Sequence, residues 1–133
     1  MAAVSTGDRG GDGPWRVLLV DDSADDAELA EFALRQGGLA VQCRRACNAA
    51  GLARALAEFR PQVVVCDLNL PGYSGVEALA RVRAHDPSLP FVFMTGALDP
   101  HESPPGSEGL LLKDDLDALP ALLRRLLEAA PAS

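Results

Sequence analysis

No stretch of the chain approaches the ~20 consecutive apolar residues of a membrane-spanning helix, so no such span is expected. Basic residues are outnumbered, with 12 Lys and Arg against 19 Asp and Glu and a net charge of −7. That balance argues against non-specific binding to nucleic acid or to an anionic membrane surface. Cysteine is scarce: Cys43, Cys47 and Cys66 are an odd set with no CxxC spacing. They read as reduced, partly buried thiols rather than as a disulfide framework or a thiolate metal site. There is no GxxxxGK(S/T) loop, which removes the common phosphate cradle of nucleotide-binding domains. Residues 1–13 have no apolar run and carry Asp8 and Asp12, unlike a secretory leader. They have four glycines and little to bury, and are expected to form a flexible tail. The expected compartment is the cytoplasm.

What remains is enough for one domain, expected over residues 14–131 of the 133, with an ordinary hydrophobic fraction of 48%. From residue 15 onward two periodicities alternate. Residues 16–20 (RVLLV), 62–66 (QVVVC), 90–94 (PFVFM) and 110–112 (LLL) are short continuous apolar runs, as in strands buried on both faces. A weaker strand is expected over 39–44. Between the runs lie helical patterns. The first uses Ala27, Ala30, Leu34 and Phe32, the second covers 49–59, and the third uses Val76, Leu79, Ala80 and Val82. A last helix over 116–130 carries Leu119, Leu122, Leu123, Leu126 and Leu127 on one stripe.

Strands alternating with helices predict an α/β fold with a doubly wound parallel sheet. Right-handed crossovers then bring the C-terminal ends of all strands to one edge, where ligands bind in open sheets of this kind. At that edge the runs end in Asp21-Asp22, Asp67, Thr95 and Lys113. Any one of these can be a cap or a turn former. Three acids, a hydroxyl and a lysine together point to chemistry. Crowded carboxylates must protonate or gain a cation. An all-oxygen set without His or Cys suits Mg²⁺ or Mn²⁺ better than zinc. A carboxylate beside a cation, a lysine and a hydroxyl is suited to receiving a phosphoryl group, with Asp67 as nucleophile.

The segments LLVDDS, VVVCDLNLPGYSG, FVFMTG and LLLKDD resemble, in order, the signatures of bacterial response-regulator receiver domains. The resemblance implies a five-stranded sheet of order 2-1-3-4-5. It also implies Asp67 as phosphoacceptor, Asp21 and Asp22 as the Mg²⁺-holding pair, and the backbone carbonyl of Asn69 as a further metal ligand. Thr95 matches the switch hydroxyl and Lys113 the phosphate-binding lysine. The implied partners are a histidine kinase or histidine phosphotransfer protein and an unidentified downstream protein, in a two-component phosphorelay. The domain acts as a signalling element rather than as an enzyme on a separate substrate. Lys113 is expected to serve the phosphoryl group and not the fold.

Three departures from the family are visible. Leu110 stands where an aromatic residue usually swings inward on activation. Asp114 follows Lys113 where proline is common, so a trans bond is expected there. The stretch from Thr95 to Lys113 is short and holds Pro100, Pro104 and Pro105, which disfavour helix interiors. The family's fourth helix is therefore expected to be missing or vestigial between residues 97 and 108. Two alternatives stay open. One is a pseudo-receiver that binds proteins without phosphorylation. The other is a phosphatase with an aspartyl intermediate, against which Asn69 stands where a second acid would be needed. No output domain is expected after Ala130, leaving a stand-alone receiver or one excised from a larger chain.

Overall fold

The computed structural model describes residues 14–70, 72–96 and 106–129. Among the described residues, seven strands run in the order β1 (Trp15–Val20), β2 (Val41–Ala46), β3 (Val63–Asp67), β4 (Asn69–Leu70), β5 (Tyr73–Ser74), β6 (Phe91–Thr95) and β7 (Gly109–Leu112). Helices α1 (Ala24–Gln36), α2 (Ala49–Glu58), α3 (Gly75–His85) and α4 (Leu119–Ala129) lie between or after them, with a 3-10 helix over Lys113–Ala118. Five strands form one parallel sheet in the order β2-β1-β3-β6-β7. With the short antiparallel pair β4–β5 set aside, this is the expected 2-1-3-4-5 arrangement.

Strand side chains alternate between two cores, one on each side of the sheet. Leu18, Val20, Val64, Cys66, Phe91 and Phe93 pack toward α2 and α3, against Leu52, Leu56, Leu79 and Val82. Val17, Leu19, Val63, Val65, Val92 and Met94 pack toward α1 and α4, against Ala30, Leu34, Leu119 and Leu123. This two-sided burial explains the unbroken apolar runs.

The second strand begins at Val41, two residues later than the sequence suggests. Leu39 closes α1 instead: its N–H bonds Leu34 O, and the N–H of Gly38 bonds Arg35 O. Gly38 takes the left-handed conformation (φ 86°) that this helix ending requires. Leu39 and Leu34 then share one core, and pairing with β1 starts at Trp15↔Val41. Phe32 and Val76 are exposed, contrary to the expected patterns, as is Ala80. The buried stripe of α1 runs through Ala27, Ala30 and Leu34, and Phe32 falls on its opposite side. On α3 the stripe is Ala78, Leu79 and Val82. The last helix starts at Leu119 because the preceding turn is 3-10, with Asp115 outside helical angles. Its stripe is as expected, with Leu119, Leu123 and Leu127 buried and Leu122 and Leu126 partly so.

The expectation of a missing fourth helix covers residues 97–108, of which 97–105 lie outside the described residues, as do the tail and His101, while 106–108 are not helical. Among the described residues there is no cis peptide bond, so Lys113–Asp114 is trans. Leu110 is partly buried against the α2–α3 core.

Of the three cysteines, Cys47 is exposed, Cys43 intermediate and Cys66 buried. Burial, helped by Glu31 and opposed by Arg35, pushes the Cys43 thiol up to about 12. Burial, with Asp67 and Asp21 nearby, also raises that of Cys66. Thiolate is the reactive form. A maleimide at neutral pH is therefore expected to modify the native protein rapidly at Cys47 alone, with Cys43 and Cys66 reacting on unfolding. Peptide mapping reads this directly, and equally fast labelling of Cys43 would contradict it.

Candidate functional site

The C-terminal ends of β1, β3, β6 and β7 meet at one edge of the sheet. Asp21 follows β1, Asp67 ends β3, Thr95 ends β6 and Lys113 follows β7. Parallel register sets their depth: Asp67 pairs with Met94, and Thr95 with Leu112, one residue before Lys113. Asp21, Asp67 and Thr95 are buried, at 4%, 8% and 1% exposure. Asp22 is exposed beside them.

Lys113 Nζ lies 3.0 Å from Asp67 Oδ2 and 3.1 Å from Asp21 Oδ2. Carboxylate oxygens of Asp21, Asp22 and Asp67 all lie within 4.8 Å of one another. The lysine directly follows β7, at the far edge of the sheet from β2, and is joined to these acids only by the fold. Asp21 is fixed further through its backbone. Its N–H bonds Ala46 O, its carbonyl accepts from Arg45 at 3.1 Å, and its Oδ1 accepts from the Ser23 N–H at 2.9 Å. Asn69 opens β4 two residues after Asp67. The sequence reading did not foresee the β4–β5 hairpin, which turns the chain from the acceptor loop into α3.

Burial pushes the Asp21 carboxyl above its ordinary 3.8, and Asp67 adds to this, while the Ser23 amide and Lys113 oppose it. Burial alone would lower the Lys113 amine, but hydrogen bonds to Asp26, Asp67 and Asp21 outweigh it and hold the group above its ordinary 10.5. The cluster of Asp21, Asp22 and Asp67 offers only carboxylate oxygens, a donor set that suits a hard divalent cation. Asp22 is the exposed member of that cluster.

One residue of the site escaped the sequence reading. Asp26, on the first turn of α1, lies 2.7 Å from Lys113 Nζ. Its only sequence signal is the pattern Ser23-x-x-Asp26, which reads as a helix cap. Lys113 is thus paired with three acids, Asp21, Asp26 and Asp67.

Comparisons with known proteins agree with this fold. A model described as the response regulator receiver domain matches residues 17–104, which include Asp21, Asp22, Asp67 and Thr95 but not Lys113. Protein-glutamate methylesterase/protein-glutamine glutaminase 2 of Anaeromyxobacter dehalogenans is 35% identical over 153 aligned positions, covering 92% of this chain and 44% of that protein. The DNA-binding transcriptional regulator NtrC of Escherichia coli is 34% identical over 83 residues, 62% of this chain and 17% of that protein. The chain spans less than half the length of the curated relatives it matches first. Among solved structures, a LuxR-family two-component response regulator from Aurantimonas superposes with a TM-score of 0.75 at 27% identity, covering 91% of this chain and 90% of that one. The chemotaxis protein CheY4 of Vibrio cholerae gives 0.71 at 26% identity, covering 86% and 99%. The chain belongs to the response regulator receiver domain family.

Proposed function

We propose that residues 14–131 form a phosphoacceptor receiver domain in which Asp67 takes a phosphoryl group from a histidine kinase or histidine phosphotransfer protein. The observation that carries this is the half-buried Lys113 ammonium 3.0 Å from the carboxylate of Asp67, beside two further acids. In the reaction an Asp67 oxygen attacks phosphorus, an acyl-phosphate P–O bond forms, and the P–N bond to the donor imidazole breaks. Lys113 pairs with the transferred oxygens, and Thr95, at the end of the neighbouring strand, donates a hydrogen bond to them. Asp21, Asp22, Asp67 and the Asn69 carbonyl would hold Mg²⁺ or Mn²⁺. That ion would offset negative charge on the phosphoryl group. The domain modifies only itself and works in the cytoplasm, passing its state to a protein partner.

The test is mass spectrometry after incubation with acetyl phosphate and Mg²⁺. The expected result is a gain of one phosphoryl group, mapped to Asp67 and lost in Asp67→Asn. Leu110, aliphatic and already packed against the core, favours a second reading in which the fold binds partners without phosphorylation. A chain that gains no phosphoryl group under these conditions belongs to that reading.

A further inference from the structure

The first turn of α1 carries a carboxylate that the phosphoacceptor chemistry leaves unused. Ser23 caps this helix, its hydroxyl accepting from the Asp26 N–H at 3.1 Å. An acid three residues after such a cap ordinarily reaches back to the cap's own amide. In α3 this happens: Glu77 Oε1 accepts from the Ser74 N–H at 3.0 Å. In α1 the Ser23 amide is already taken by Asp21 Oδ1 at 2.9 Å. The Asp26 carboxylate is turned instead to Lys113 Nζ at 2.7 Å, the shortest of the lysine's three ion pairs.

An ammonium has three N–H donors, and Asp21, Asp26 and Asp67 engage Lys113 together. Phosphorylation of Asp67 passes on the one lysine donor that Asp67 holds, and a phosphoryl oxygen gains a second only if Asp21 or Asp26 releases it. Asp21 and Asp67 belong to the three-carboxylate cluster suited to a cation, whereas Asp26 does not. Asp26 is thus the rival that the new phosphoryl group must displace.

We propose that Asp26 is a positioning residue that parks Lys113 on α1 and thereby slows phosphorylation of Asp67. This rests on the phosphoacceptor reading above. The charge of Asp26 acts in the same direction, since it opposes the approach of an anionic donor. The side chain is 37% exposed, which limits the effect.

The test compares initial rates of Asp67 phosphorylation by acetyl phosphate and Mg²⁺ in the full chain. Asp26→Asn is expected to react about three- to tenfold faster than the parent. Asp26→Glu, which keeps the charge, should return to within about twofold of the parent. Asp25→Asn removes the same charge from a neighbour outside the lysine's ion pairs and should also stay within about twofold. In a Lys113→Met background no ammonium remains to be released, and adding Asp26→Asn should change the rate less than about twofold. Equal acceleration by Asp25→Asn, or acceleration that persists without Lys113, would reduce Asp26 to bulk charge and overturn the proposal. So would an Asp26→Asn rate equal to or below that of the parent. A parent chain that gains no phosphoryl group defeats the phosphoacceptor reading itself, and this inference with it.

Discussion

Lys113→Met is expected to cost the metal-free protein about 2–3 kcal/mol of folding stability, and Mg²⁺ to return most of that loss. The substitution keeps the apolar stem and removes the charge. It leaves Asp21 and Asp67, both buried, crowded within reach of Asp22 with no counter-charge. Removing one partner of a fully buried pair costs about 3–5 kcal/mol. The expected cost is lower here because the Lys113 and Asp26 side chains are 21% and 37% exposed.

The pH dependence carries a definite sign. Lys113 is held above its ordinary 10.5, so its contribution is present below that value and lost as the pH rises through the raised one. Burial raises Asp21 above 3.8, so its ionisation weighs against the fold at neutral pH and the weight lifts as the pH falls through the raised value. Without the lysine this relief grows, and the deficit of the variant should narrow as the pH falls toward the raised Asp21 value in metal-free buffer. Urea denaturation with chelator, with Mg²⁺ and across pH reads all three effects. A variant as stable as the parent without metal would show that Lys113 is not the counter-ion of the cluster.

How much of this was legible in the sequence follows from where each signal resides. A strand buried on both faces needs an unbroken apolar run, so β1, β3 and β6 and the residues ending them could be read directly. Strand ends share an edge by topology, so the sequence alone places Asp21, Asp67, Thr95 and Lys113 at one edge. Asp26 was missed because its role depends on a competition for one amide. Ser23-x-x-Asp26 and Ser74-x-x-Glu77 look alike on paper, but the shorter Asp side chain and the prior claim of Asp21 on the Ser23 amide separate them. The start of β2 was misplaced for a similar reason. Leu39 is apolar and buried, but it serves the helix ending, a distinction that periodicity does not carry. Phe32 and Val76 show that an apolar residue near a helical stripe need not be on it.

The second large effect is expected at the junction between the acceptor loop and α3. Phe93 is fully buried on β6 and meets Phe91 edge-on, with ring centroids 4.9 Å apart. Phe93→Ala should cost about 4 kcal/mol, through lost apolar burial and the cavity left behind. Opposite its ring is Gly75, the first residue of α3. A Cβ there would lie 2.8 Å from Phe93 Cε1 and 3.0 Å from both Cα and O of Leu68. Leu68 directly follows Asp67, and its carbonyl accepts the Gly75 N–H at 3.2 Å. Gly75→Ala therefore overpacks the core and presses on the backbone beside the acceptor, at a cost of about 2 kcal/mol. The two sites should couple. With Phe93 truncated the ring contact is gone and only the Leu68 backbone still resists, so Gly75→Ala should cost about half as much. A double-mutant cycle by chemical denaturation measures this coupling, expected near 1 kcal/mol. Additive effects would mean that the Leu68 backbone alone demands glycine at position 75. The acceptor loop would then be held by α3 independently of the core beneath it.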